Sequence, residues 1–87
     1  MKYCTYILHS QKFDKYYYGQ TEDLSSRLLK HNGGKVISTR RYAPWVLFAY
    51  KEFSTRSEAT RTERKLKNLK SRQRVAQFIR SNDFVRI

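Results

Sequence analysis

Near the start of this chain, two short runs of strand-forming residues flank a polar stretch. Residues 2–8, KYCTYIL, are rich in β-branched and aromatic types, and KYYYG at 15–19 follows the polar HSQKFD at 9–14. Two such runs so close together dictate a β-hairpin and leave the rest of the fold to be built onto it. In strand alternation, Tyr16 and Tyr18 face one side and Tyr17 and Gly19 the other. The three tyrosines are therefore not equivalent: Tyr16 and Tyr18 share one face and Tyr17 has the other.

Downstream, the period changes. Thr21 or Asp23 is placed to cap a helix running to about His31, with Leu24 and Leu28 as its apolar stripe and Asn32-Gly33-Gly34 as its stop. A basic, glycine-led loop, GGKVISTRRYAP at 33–44, precedes WVLFAYKEF at 45–53, whose apolar density suits a central strand. Ser54 or Ser57 opens a second helix through about Leu69, with Ala59, Leu66 and Leu69 as apolar points. A third, Arg72–Arg80, carries Val75, Phe78 and Ile79 at i, i+3, i+4. The predicted order is β-β-α-β-α-α, an α+β fold in which a three-stranded antiparallel sheet is flanked by helices. At 87 residues with no linker or repeat, residues 1–87 read as one domain. Such a chain buries only about 60–65% of its unfolded surface.

Charge points to the partner. Nineteen Lys and Arg stand against 7 Asp and Glu, a formal net charge of +12. Nucleic acid is the first partner this implies, DNA with RNA as the alternative, and an anionic membrane surface the second. No apolar run approaches the roughly 20 residues of a membrane span, so no membrane partner is expected. Lys2 precedes only a short strand-like run before the polar Ser10, which does not read as a secretory leader. The lone Cys4 excludes an intrachain disulfide and fits a reducing cytoplasm, with association with the nucleoid as a further expectation.

Common catalytic templates are absent: there is no CxxC, HExxH or GxxxxGK[ST]. His9, at a strand end, reads as a solvated surface residue. Arg27 and His31, four apart, share a helical face beside the leucine stripe, and the hairpin brings Tyr6 and Tyr17 toward them. Glu63 sits among Arg61, Arg64, Lys65, Lys67 and Lys70. It is either half of an i,i+4 ion pair with Lys67 or a lone carboxylate for a hydrated divalent ion.

These elements resemble the GIY-YIG nuclease superfamily, in particular small stand-alone members related to the N-terminal domain of the bacterial excision-repair endonuclease. The similarity spans about residues 3–79. It rests on Cys4-Thr5-Tyr6 with Ile7-Leu8, Tyr17-Tyr18-Gly19, Thr21, Asp23-Leu24, Arg27-Leu28, His31-Asn32-x-Gly34, Pro44-Trp45 and Ala59-x-x-x-Glu63-x-x-x-Lys67. The first glycine of the name motif is Cys4 here, and Gln20 stands where the excision-repair relatives carry a lysine. Neither Asn68 nor Asn82 matches the asparagine some relatives place beyond the glutamate.

The resemblance implies Mg2+-dependent hydrolysis of a DNA phosphodiester, with Mn2+ as the alternative ion, directed by DNA structure and linked to repair or recombination. It implies Glu63 as metal ligand, Arg27 on the scissile phosphate, Tyr17 or Tyr6 on the attacking water, and His31 as hydrogen-bond donor or proton carrier. Gly19, Thr21 and Asn32 support the motif. Lys35, Arg40, Arg41, Arg61, Arg64, Lys65, Lys67, Lys70 and Arg72 are expected to contact backbone phosphates, which give affinity without sequence choice. A protein partner supplying specificity is a further expectation. Two other classes stay open: a nuclease-like fold that binds nucleic acid without cutting it, and a basic structural protein of the nucleoid or ribosome.

Overall fold

The computed structural model describes residues 2–87. Its elements are β1 (Tyr3–Ser10), β2 (Lys15–Thr21), α1 (Leu24–Asn32), β3 (Val46–Phe53), α2 (Arg56–Leu69), α3 (Arg72–Ser81) and β4 (Val85–Arg86). All strand pairs are antiparallel, in the order β2-β1-β3-β4. The α+β class and the order β-β-α-β-α-α hold, and a two-residue fourth strand is added. It forms because Phe84 is buried after α3, which lays Val85 and Arg86 against Tyr50 and Ala49. Two residues carry no periodicity, so nothing in the sequence pattern announces them.

In the hairpin, Tyr6 pairs with Gly19 and Leu8 with Tyr17. The strands run through Ser10, leaving a turn at residues 11–14 that closes on Asp14 at φ 51. Asp tolerates the left-handed region because its short side chain bonds locally. His9 is not the solvated residue expected. Its ring stacks on Tyr16 with centroids 4.5 Å apart, and Nε2 lies 3.1 Å from Asp14 Oδ1.

The caps resolve the open choices. Asp23, not Thr21, caps α1, accepting from the Ser26 amide at 3.1 Å, while Thr21 accepts from the Asp23 amide. Neither Ser54 nor Ser57 caps α2. Thr55 does, accepting from the Glu58 amide, and its hydroxyl also donates to the Glu58 carboxylate at 3.0 Å. Thr-x-x-Glu is a capping-box sequence, so this start was readable.

The sheet has two covered faces. Ile7 and Ala49 meet Leu66 of α2, Val75 and Ile79 of α3, and Phe84, with Tyr16, Tyr18 and Phe48 packed around them. Cys4, Tyr6, Leu8 and Trp45 lie opposite, packed with Tyr17, Leu24 and Leu28. The tyrosine run thus divides as strand alternation predicts. No helix among the described residues is long and apolar enough to cross a membrane.

Candidate active site

On the α1 face, Tyr6 stands at the centre of a hydrogen-bonded chain. Its hydroxyl lies 3.4 Å from Arg27 Nε and 3.0 Å from His31 Nε2. His31 Nδ1 lies 2.8 Å from Thr39 Oγ1, whose hydroxyl donates to the Val36 carbonyl at 3.4 Å. The ends set the direction. Arg27 can only donate and a carbonyl can only accept, so Tyr6 donates to Nε2 and His31 donates from Nδ1. That polarity assigns the neutral tautomer with its proton on Nδ1.

Burial agrees with it. Tyr6 is 1% exposed and His31 fully buried. Burial, reinforced by the Arg27 charge, pushes His31 down to about 4. Burial also pushes the Tyr6 phenol up to about 12, against the opposing Arg27 hydrogen bond. Tyr6 is therefore a neutral phenol, and the cation beside it does not make it a base. Both ring nitrogens of His31 are bonded inside the fold, Nε2 to Tyr6 and Nδ1 to Thr39.

Gly19 matters for the side chain it admits. It lies within β2, and a Cβ on it would come 2.5 Å from the Tyr6 hydroxyl oxygen. The glycine makes room for the phenol. Beside it, Tyr17 stands half-buried with its ring centroid 4.9 Å from that of His31 and 6.3 Å from that of Tyr6. Tyr17 also faces Arg27, whose guanidinium is held charged first by its bond to Tyr6. Arg27 spends Nε on Tyr6, and the Tyr17 phenol is a weaker partner beside the rest of the guanidinium. A guanidinium anchored this way keeps its fork for a bidentate grip on an anion.

Arg27 opens onto a polar cleft of about 330 Å³ lined by Gln20, Thr21, Glu22, Arg27 and Arg56. From α2, Glu63 reaches close enough for its charge to help hold the Tyr6 proton in place, though burial is the larger cause. Its side chain is 19% exposed, and Oε2 accepts from Lys67 Nζ at 2.7 Å. The i,i+4 ion pair thus forms. No group of three or more His, Cys, Asp or Glu is arranged to hold a metal among the described residues. One partly shielded carboxylate is still a hard oxygen donor of the kind Mg2+ accepts while keeping most of its waters. The donor set therefore fits a hydrated ion on Glu63 alone, provided that Lys67 swings aside.

The remaining residues divide. Asn32 clamps the strand entering β3: Oδ1 accepts from the Trp45 amide, and Nδ2 donates to the Trp45 carbonyl at 2.9 Å. Lys35, Arg40, Arg41, Arg61, Arg64, Lys65 and Lys70 are exposed. Arg72, also exposed, has a partner within the fold. Its Nη1 and Nη2 each bond Asp14 at 2.9 Å, to carboxylate and carbonyl, and its guanidinium lies over Tyr16. Both partners are largely exposed, so the pair is open to water and salt.

Sequence reading missed Thr39 and Arg56. Thr39 is 1% exposed and its carbonyl accepts from Trp45 Nε1 at 2.9 Å. It lies in a loop without periodicity, so only a partner for the second histidine nitrogen would have betrayed it. Arg56 begins α2, and the Thr55–Glu58 capping box would have shown it at the helix mouth.

A family model described as the GIY-YIG catalytic domain matches residues 2–76. A UPF0213 protein of Listeria monocytogenes serotype 4b is 36% identical over 73 residues, covering 80% of this chain and 80% of that protein. A UPF0213 protein of Halobacterium salinarum is 38% identical over 64 residues, covering 72% of this chain and 83% of that protein. The solution NMR structure of the UPF0213 protein BH0048 from Bacillus halodurans aligns with a TM-score of 0.56 at 35% identity, covering 91% of this chain and 83% of that one. The matched span takes in the hairpin, α1, β3 and α2, and with them Tyr6, Tyr17, Arg27, His31 and Glu63: the chain belongs to the GIY-YIG catalytic domain family.

Proposed function

We propose that this chain acts as one domain that hydrolyses DNA phosphodiester bonds with the help of a divalent cation, choosing targets by DNA structure in repair or recombination. GIY-YIG domains are typically nucleases, which supports the reaction class. The observation that carries the reading is the Arg27–Tyr6–His31–Thr39 chain, which fixes a guanidinium by Nε and turns it toward a polar cleft, with only the weaker Tyr17 contact beside it. That guanidinium grips the scissile phosphate as negative charge builds on it. Tyr17, beside Arg27 and less enclosed than Tyr6, orients the attacking water and, as the phenolate, takes its proton as the new P–O bond forms, ending as the neutral phenol. Tyr6 stays protonated and holds Arg27 and Tyr17 in place. Glu63 is the residue that would hold Mg2+, or Mn2+, once Lys67 releases it. When bound, such an ion supplies Lewis-acid charge for the phosphoryl and leaving oxygens.

One observation favours a second reading, a module that binds without cutting: the Glu63 carboxylate is closed by Lys67 at 2.7 Å. A panel of branched, nicked and linear DNAs incubated with Mg2+ separates the two. The nuclease reading expects cuts that vanish with chelator and with Glu63→Gln. Binding without any cut under Mg2+ or Mn2+ selects the module instead.

A further inference from the structure

Arg56 lies outside the chain of contacts just described, and three contacts fix its position. Its guanidinium lies over the Tyr3 ring, 4.8 Å from the centroid. Nη1 donates to Gln20 Oε1 at 3.1 Å, and Nη2 donates to Glu22 Oε2 at 3.3 Å. The first two contacts are neutral and leave the positive charge uncancelled. The third is an ion pair whose partners are each about half exposed, 51% and 52% by side chain. A pair this open and this long is weak, because water and salt screen it.

The position has a further property. Arg56 lines the polar cleft together with Arg27, and it also lines a shallow groove of about 360 Å³ with Ser57, Thr60, Arg61 and Arg64 along α2. One residue thus joins two cationic depressions into a track. It runs from Arg27 in the site, past Arg56, to Arg61 and Arg64 on the outer helix surface.

We propose that Arg56 holds a second phosphate subsite, taking the phosphodiester next along the strand from the one gripped by Arg27, with the Glu22 carboxylate as its placeholder. The subsite rests on the nuclease reading for what Arg27 holds, but its own evidence is the track. An arriving phosphate oxygen replaces a carboxylate oxygen on Nη2, an exchange of one anion for another on the same donor. The stacking on Tyr3 and the Gln20 contact keep the guanidinium aimed during the exchange. The strand then leaves the site over the start of α2 toward Arg61 and Arg64. Arg56 is a positioning residue in this scheme, since it touches the substrate away from the reacting phosphorus.

The test measures binding in chelator, where no cutting occurs. Fluorescence anisotropy over a salt series compares wild type, Arg56→Ala, Arg56→Lys, Glu22→Gln and the distant Arg80→Ala, on duplexes each carrying one neutral methylphosphonate at a different position. Arg56→Ala should lower the slope of log K against log salt by about 0.7–0.9, one phosphate contact. Arg56→Lys should restore the slope, and Glu22→Gln should tighten binding at low salt. One methylphosphonate position should weaken wild type and leave Arg56→Ala indifferent. Equal methylphosphonate penalties for wild type and Arg56→Ala, or an Arg56→Ala slope that matches wild type, overturn the subsite. Wild type that shows these slopes yet never cuts with Mg2+ defeats the nuclease reading and leaves the subsite standing.

Discussion

The two faces of the sheet are built from the same strands and do opposite things with them. Beneath α2 and α3, Ile7, Ala49, Leu66, Val75, Ile79 and Phe84 form a core with no ionisable member. Beneath α1 the comparable depth holds Tyr6, His31 and Thr39, three polar side chains bonded to one another. Burying polar groups is costly unless every donor and acceptor is met, and here no buried polar side-chain atom among the described residues lacks a partner. One face contributes stability through apolar area; the other uses a satisfied network to hold a phenol and a guanidinium in one geometry. An apolar core tolerates gradual change, whereas a network fails when one link is cut.

The largest expected effect breaks the chemistry and spares the apolar core. Glu63→Gln should lower Mg2+-dependent cleavage by about 1,000-fold, with an unchanged circular dichroism spectrum and melting temperature near wild type. The converse change lies on the other face. Leu66→Ala, at a side chain 1% exposed, should cost about 2–5 kcal/mol in urea unfolding, while the cleavage rate per folded molecule stays within a few-fold. If Leu66→Ala slows cleavage by the folded protein as Glu63→Gln does, the division of labour fails.

A smaller effect concerns the network's own stability. His31 is held at about 4 in the fold against an ordinary 6.5. Between these values the unfolded chain binds the extra proton, so the contribution is complete above pH 6.5 and is lost as pH falls toward 4. The loss is on the order of 3 kcal/mol across that window. Urea unfolding at a series of pH values should show it, and His31→Gln should flatten that part of the curve.

Much of this was legible before any coordinates. Period-two alternation placed Tyr17 apart from Tyr16 and Tyr18, and the i,i+4 spacing put Arg27 and His31 on one helix face. Their roles were harder to read, because a spacing does not say how deep a side chain lies. His31 reads as a hydrogen-bond donor or proton carrier, and no spacing shows that Tyr6 and Thr39 engage its two nitrogens. Nor does sequence show that Arg72 bonds Asp14, 58 positions away, since the pair joins α3 to the hairpin turn. Position 39 owes its place to the Asn32 clamp on Trp45 and the Trp45 bond to the Thr39 carbonyl, contacts across a loop with no period to follow.

The tyrosine run samples both faces from one strand, so it tests the account most directly. Single-turnover cleavage of one DNA substrate should be measured for Tyr16→Phe, Tyr17→Phe and Tyr18→Phe, each loss removing one hydroxyl and little else. Tyr17→Phe should slow the cut by about 100-fold or more, with the other two within a few-fold of wild type. Equal rates for all three would contradict the assignment of chemistry to the α1 face through Tyr17.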